Sequence, residues 1–366
     1  MRIIYFINGF DPGGAEHGLL TLIENGFFDG HELRVLGMCR GKGALAERIR
    51  HSVGTRHFRI VEDSETLGFR AILRGAMALA AEIRGFRPDA VVLSLKQANV
   101  VGRFVLMAFP GISCISFEHI SRYRARRAEG IYGYLLRAVS GRVDEVWADC
   151  QETLNSTRSY FKPRLRREAV VPLFCADDQM PAKNEYAMGP VLKLAGAGRL
   201  VDRKNFDQVI HAVKALNEAG RPVELTILGD GPELEPLRRL VEKLGLAARV
   251  FLPGYRPRWF EAAMAADIFI NASDTEGFCI VVAEALAVGL PVIATDVGGI
   301  REYGVDGENM LKLKHCTARE LVATISRAAD DAILRRSIGQ RARSDMRRLY
   351  SADALRQSGR AVLRKA

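Results

Sequence analysis

Glu276 and Glu284, with seven residues between them, stand in the stretch TEGFCIVVAEALAVGLPVIATDVGGIRE. The first carboxylate opens a glycine-containing loop and the second sits on the helix that follows. An apolar strand comes next, and the pair Gly298–Gly299 closes the unit before another helix. Two fixed acids facing a turn rich in backbone N–H groups suit a ligand with both hydroxyls and phosphates, and a sugar nucleotide is such a ligand. Glu276 and Gly277 precede a helix whose first N–H groups, from Phe278 through Cys279 and Ile280 to Val281, could hold a phosphate or sugar oxygen. Glu284 lies about two turns further on, where a carboxylate can accept from two neighbouring hydroxyls. An exposed loop acid and a satisfied helix acid would explain the pair without a ligand. Against that, Glu284 is flanked by Val281, Val282, Ala285 and Leu286, and a carboxylate is costly to bury there without a partner.

Three upstream segments belong with the acids. GRLVDRKN carries Arg199 and Lys204 just past a strand and ahead of a helix, a placement suited to neutralising a diphosphate. As a lone pair they would read as a solvated cationic turn; their position upstream of the two acids favours phosphate binding. LGDGPE, with Gly229, is a tight turn after a strand, a weak signal by itself. In FLPGYRPRWFEAAMAAD, Gly254, Tyr255 and Arg256 would lie beside a base, although loop geometry explains them nearly as well.

These residues need elements to hold them. Strand-like runs RIIYFI, HELRVLGMC, RHFRIV, DAVVLSL, SCISFEH, EVWADC and EAVVPLF alternate with helical stretches in the first half. VLKLAGAG, VELTILGDG, RVFLPG, DIFINAS, VIATDV and NMLKLK do so in the second. Short apolar runs separated by helices predict parallel, doubly wound sheets. The expected architecture is α/β: two Rossmann-like doubly wound domains facing a cleft, an acceptor-side domain over 1–180 and a donor domain over 188–349. The polar segment DDQMPAKNEYAMGP is the expected hinge, and the basic helix at 350–366 is expected to pack back on the first domain.

With 366 residues, 48% apolar and 26% charged, the chain can build two full cores. Its net charge of +10 favours an acidic partner, be it nucleic acid, a phosphorylated ligand or an anionic membrane, without choosing among them. Six scattered cysteines without a C-x-x-C pair argue against a zinc site or a disulfide framework and fit a reducing cytoplasm. The start MRIIYFINGFDPGG does not read as a signal peptide, and no apolar stretch reads as a membrane span.

The second half resembles the donor domain of the retaining glycosyltransferases of family four, which have the GT-B fold. GRLVDRKN, LGDGPE, ADIFINASDTEGFCIVVAEALAVGLPVIATDVGGIRE and DGEN carry the likeness over essentially all of that half. The resemblance implies that Glu276 contacts donor-sugar hydroxyls, Glu284 the ribose, and Arg199 and Lys204 the diphosphate, with Gly298 and Gly299 bordering the sugar pocket. FDPGGAEH is similar to the family's first loop, so Gly13 and Gly14 would let backbone approach the donor phosphates. SFEHIS is similar to its strand-end histidine segment, placing His119 near donor sugar and acceptor. Two departures stand out: Ile120 where the family often has a short polar residue, and Cys279 where it commonly has a small one such as Gly.

The function this implies is transfer of a sugar from a UDP- or GDP-sugar, with retention of configuration and no metal, to a saccharide or lipid-linked acceptor in surface polysaccharide or lipopolysaccharide assembly. No D-x-D occurs in the chain, so leaving-group charge falls to Arg199, Lys204 and helix N-termini. The basic, aromatic segment 119–142, with Arg122, Arg124, Arg126, Arg127, Arg137 and Arg142 among Tyr123, Tyr132 and Tyr134, is either a solvated face or a dock for anionic lipid. The expected location is cytoplasmic, peripheral on the inner face of the membrane. A GT-B-fold nucleotide-sugar epimerase and a non-catalytic nucleotide-sugar binder remain as rivals. A nicotinamide oxidoreductase would need G-x-G-x-x-G after the first strand, and FDPGGAE lacks it. No nucleic-acid-binding module is present, so no nucleic-acid partner is expected.

Overall fold

A computed structural model describes residues 1–119, 130–161, 167–177 and 179–364. The chain divides into two compact units, one of Met1–Cys175 with the C-terminal residues from Ala352, the other of Ala176–Ser351.

The first unit alternates β1 (Arg2–Ile7), α1 (Gly14–Glu24), β2 (Glu32–Cys39), α2 (Leu45–Val53), β3 (Phe58–Glu62), α3 (Phe69–Phe86), β4 (Ala90–Ser94), α4 (Lys96–Leu106), β5 (Ser113–Glu118), α5 (Gly130–Ala138), β6 (Glu145–Ala148), α6 (Gln151–Phe161) and β7 (Arg167–Val170). The strands pair in parallel in the order β3-β2-β1-β4-β5-β6-β7. RIIYFI is apolar at nearly every position because helices cover both faces of a parallel sheet. Ile4, Phe6, Val91 and Leu93 pack into one face's core, together with Leu79 and Ile83 of α3.

The second unit runs β8 (Leu192–Ala197), α7 (Phe206–Glu218), β9 (Val223–Leu228), α8 (Leu234–Lys243), β10 (Val250–Gly254), α9 (Trp259–Ala263), β11 (Ile268–Asn271), α10 (Ile280–Val288), β12 (Val292–Thr295), α11 (Ile300–Tyr303), β13 (Leu311–Leu313), α12 (Ala318–Asp330) and α13 (Ala332–Leu349). Its parallel sheet has the order β10-β9-β8-β11-β12-β13. α10, almost wholly apolar, is buried from Val282 to Val288 except at Glu284, and packs against α13. α14 (Ala352–Val362) belongs to the first unit, where Gly359 lies so close to the Phe27 carbonyl that a Cβ would collide with it.

Part of the segment expected to be a hinge is bound to the second unit. The Lys183 N–H donates to Val288 O at 2.7 Å, and the buried Tyr186 hydroxyl donates to Gly289 O or Lys183 O, each at 3.0 Å. The segment's polarity hid this: backbone groups, the Tyr186 hydroxyl and the Lys183 ammonium, which donates to Met264 O at 3.1 Å, make the attachment. No helix among the described residues is long and apolar enough to cross a membrane.

Candidate active site

In each sheet the strand order reverses once, and open α/β sheets take ligands at the carboxyl edge beside that reversal. In the second unit it falls between β8 and β11. The loops leaving these strands carry Lys204 and Glu276.

Lys204 ends a short 3-10 turn, Asp202–Lys204, and Asn205 follows in the left-handed region at φ 51°. The Asn205 side-chain amide donates to Ala272 O at 2.9 Å and to Asp274 Oδ1 at 2.8 Å, while the Asp274 N–H donates to Arg203 O at 2.9 Å. These bonds stitch the two loops together. They leave Lys204 Nζ 2.6 Å from Glu276 Oε1, with both side chains buried. Burial alone would neutralise each group. Here the Glu276 carboxylate outweighs it and holds the Lys204 ammonium above its ordinary pKa. Likewise burial pushes Glu276 up, but the Lys204 charge outweighs it and holds the carboxyl below its usual range. The two expected site residues are thus a charged, buried pair.

α10 begins at a strained residue. Cys279, its N-cap, has φ 64° and ψ 67°, a left-handed conformation that costs an L-residue about 1–2 kcal/mol. That geometry explains why a glycine suits this position. Among the described residues the N–H groups of Cys279, Ile280 and Val281 donate to no carbonyl, as the first turn of a helix dictates. Gly298 and Gly299 lie flat against this loop. Gly298 has φ 56°, a Cβ there would stand 2.5 Å from Glu276 O, and one on Gly299 would stand 2.9 Å from the Phe278 Cα. The Gly299 N–H donates to Gly277 O at 2.7 Å. The phenyl ring of Phe278 is buried beside Tyr303 and Tyr350, and the Tyr303 hydroxyl donates to Phe278 O or Cys279 O, at 3.0 and 3.1 Å.

Glu284 is half-buried on α10, and its Oε2 accepts from the Trp259 indole N–H at 2.6 Å. Oε1 accepts no hydrogen bond among the described residues. Burial pushes this carboxyl up to about 7 despite the Trp259 N–H and the nearby Arg258. Nothing in the sequence around Trp259 marks it as a partner of Glu284. A tryptophan at the start of a helix reads as core, and the ring does stack at 4.9 Å on Phe269.

The other expected residues of this unit differ in exposure. Arg199 is exposed and makes no hydrogen bond or ion pair among the described residues. Gly229 is buried against Gly198, whose carbonyl a Cβ would strike, and its N–H donates to Gly254 O at 3.0 Å. Gly254 has φ 85°, and Tyr255 and Arg256 beyond it are exposed. Among the described residues no group of three or more His, Cys, Asp or Glu side chains is arranged to hold a metal ion.

In the first unit the strand order reverses between β1 and β4. Gly13 caps α1, which Gly14 opens; a Cβ on Gly13 would stand 2.5 Å from Glu16 Oε2. His119 follows β5, half-buried, with Nε2 2.9 Å from Ser94 Oγ at the end of β4. Nδ1 is buried with no partner among the described residues, and burial lowers the imidazole to about 3, so the ring is neutral. Beneath it the buried Glu118 accepts from Ser116 Oγ at 2.5 Å and from Arg103 Nη2 at 3.3 Å, which fixes the end of β5. The Asn8 side chain joins the β1 and β4 loops, donating to Gln97 Oε1 at 2.6 Å and accepting from the Ala98 N–H at 2.8 Å. Neither Ser94 nor Asn8 carried a motif that would have found it. Ile120, Arg122, Tyr123, Arg124, Arg126, Arg127 and Glu129 lie outside the described residues.

Residues 190–345 match the family model described as "Glycosyl transferases group 1". The chain is 32% identical over 158 residues to the lipopolysaccharide core biosynthesis glycosyltransferase LpsE of Rhizobium meliloti, covering 43% of this chain and 45% of that protein. It is 36% identical over 230 residues to the putative colanic acid biosynthesis glycosyltransferase WcaL of Escherichia coli, covering 60% and 54%. The chain thus spans about half the length of the curated relatives it matches. Among solved structures, Anabaena HepE in complex with UDP-glucose superposes with a TM-score of 0.82 at 19% identity, covering 99% of both chains. The chain therefore has the GT-B fold, and its second unit is related to the group 1 glycosyl transferases.

Proposed function

We propose that this protein is a glycosyltransferase that moves a sugar from a nucleoside-diphosphate sugar to a hydroxyl acceptor, with retention of anomeric configuration. The observation that carries the reading is the buried Lys204–Glu276 pair at the strand-order reversal of the second unit, with the half-buried Glu284 on the helix that follows. The match of residues 190–345 and the UDP-glucose bound by HepE support a nucleoside-diphosphate sugar as donor.

On this reading Glu276 binds sugar hydroxyls through its second oxygen while Lys204 meets the diphosphate from the same buried position. Arg199, exposed on the same loop, adds a second cation. The N–H groups of Cys279, Ile280 and Val281, with the α10 dipole behind them, face the anionic part of the donor. Gly254, Tyr255 and Arg256 flank the base, Gly229 and Gly277 keep backbone close to the ligand, and Gly298 and Gly299 shape the sugar side. Glu284 holds the ribose through Oε1, its other oxygen being taken by Trp259. In the first unit, Gly13, Gly14 and His119 at the carboxyl edge of the sheet serve the ligands there. The neutral His119 ring can hold a hydroxyl without adding charge.

The bond between the anomeric carbon and the β-phosphate oxygen breaks as the acceptor oxygen attacks from the same face. The acceptor's proton passes to the departing phosphate oxygen. Lys204 and Arg199 stabilise the charge that develops there. LpsE is named for lipopolysaccharide core biosynthesis and WcaL for colanic acid biosynthesis, which supports a saccharide or lipid-linked acceptor; a cytoplasmic, membrane-peripheral place of work is part of the same proposal.

The test is donor turnover: release of nucleoside diphosphate and mass-spectrometric sugar addition to acceptors from a surface-polysaccharide extract, across UDP- and GDP-sugars. Transfer by the wild type that falls at least about a hundredfold in Glu276→Gln is expected. Nucleotide-sugar epimerisation without acceptor, or transfer unaffected by that substitution, would refute the reading.

A further inference from the structure

The outward face of α3 does not look like that of a solvated helix. Phe69, Leu73 and Met77 recur at i, i+4 and i+8 and are 80, 55 and 59% exposed. At a helical pitch they fall within about 80° of one another. Arg70, Arg74 and Arg84, all exposed, share the same face with Ala80 and Ala81, and no acid is among them. The one acid of the helix, Glu82, is turned away and accepts from Arg34 Nη1 at 2.9 Å and Arg59 Nη1 at 3.1 Å. Ahead of the helix Asp63 pairs with Arg40. The neighbouring α4, packed against α3, also exposes Phe104, and Met107 just past its end is exposed too.

We propose that this face of α3 docks on an anionic lipid bilayer. Large apolar side chains in line, bordered by arginines and lacking acids, match the interface between acyl chains and headgroup phosphates. Arginine forks pair with phosphate oxygens, and the phenyl, leucyl and methionyl side chains enter the acyl boundary. A second copy of the chain fits the face poorly, because a two-fold pairing would set arginine against arginine with no acid to answer it. The net charge of +10 adds long-range attraction to an anionic surface. The helix is already held to the first unit's core by Ala71, Gly75, Ala78, Leu79, Ile83 and Phe86, so the outer residues are not needed to fold it. Docking here does not rest on the donor chemistry and can be tested without it.

The experiment is vesicle flotation at about 100 mM salt, with phosphatidylcholine vesicles and with vesicles containing about one-quarter phosphatidylglycerol. The wild type is expected to float with the anionic vesicles and to release as salt is raised. The triple variant Phe69→Ser/Leu73→Ser/Met77→Ser and the charge reversal Arg70→Glu/Arg74→Glu should each bind at least about tenfold more weakly. Both should melt within a few degrees of the wild type, since the changed side chains point to solvent. If the triple variant melts early, the charge reversal alone decides. Absence of wild-type flotation would overturn the proposal, as would undiminished flotation of the well-folded variants. Sedimentation showing wild-type self-association that the triple variant loses, without vesicle binding, would overturn it too.

Discussion

Lys204 and Glu276 sit 72 residues apart in the chain and 2.6 Å apart in space, so each is the other's buried counter-charge. Removing one partner leaves a buried charge unpaired, and Lys204→Ala or Glu276→Ala is expected to cost about 3–5 kcal/mol in urea unfolding. The double variant Lys204→Met/Glu276→Leu should recover most of that loss yet transfer no sugar. Near-additive losses in the double variant would contradict the coupling. Glu284 gives a second prediction. Its carboxyl is raised from 4.5 to about 7, so its stabilising contribution is full below about pH 4.5 and is lost as pH rises through about 7. Nucleotide affinity should run the opposite way, rising through about pH 7 as the carboxylate forms, and should be flat with pH in Glu284→Gln. Calorimetric titration at pH 5.5 and 8 reads both. His119, neutral throughout that range, adds nothing to the profile. The acids, cations and glycines proposed for the site could be singled out in sequence because residue type and spacing suggest a chemistry. The Lys204–Glu276 pairing and the Trp259 hydrogen bond were not, because no local pattern specifies partners 72 and 25 residues distant.

At the scale of elements, the site depends on loops that leave parallel strands and press on each other. The alternation of short apolar runs and helices made the two sheets readable, since burial on both faces forces that composition. The closeness of the loops was less readable. Gly298 and Gly299 show as turn residues in sequence, but their lack of side chains is demanded by the backbone of Glu276–Phe278. Gly298→Ala, at φ 56° with its Cβ driven into that backbone, should destabilise by at least about 2 kcal/mol. Chemical denaturation measures it, and a change under about 0.5 kcal/mol would contradict the contact. Cys279→Gly has two opposed effects. It relieves the left-handed strain of about 1–2 kcal/mol and loses a buried thiol while adding chain entropy of similar size. The expected net is within about 1 kcal/mol of wild type, with transfer retained. The polar segment before residue 190 shows the same limit of a local pattern: polarity marks a loop, but hydrogen bonds to Val288 and Gly289 decide which unit part of it is fastened to.

For the molecule as a whole, the net charge of +10 left three kinds of acidic partner open, and composition has no means of choosing among them. The proposed donor site of the second unit would use cations at a diphosphate, and the proposed dock on α3 of the first would use them at a lipid surface. Binding to the folded state alone raises stability by mass action, by about 2.7 kcal/mol at a hundredfold excess over Kd. The most direct measurement is therefore a thermal-shift screen of UDP- and GDP-sugars against the wild type, Glu284→Gln and the Lys204→Met/Glu276→Leu double variant. At least one nucleotide sugar should raise the wild-type melting temperature by several degrees, with most of that shift lost in both variants. No shift with any nucleotide sugar, or an equal shift in all three proteins, would contradict the account.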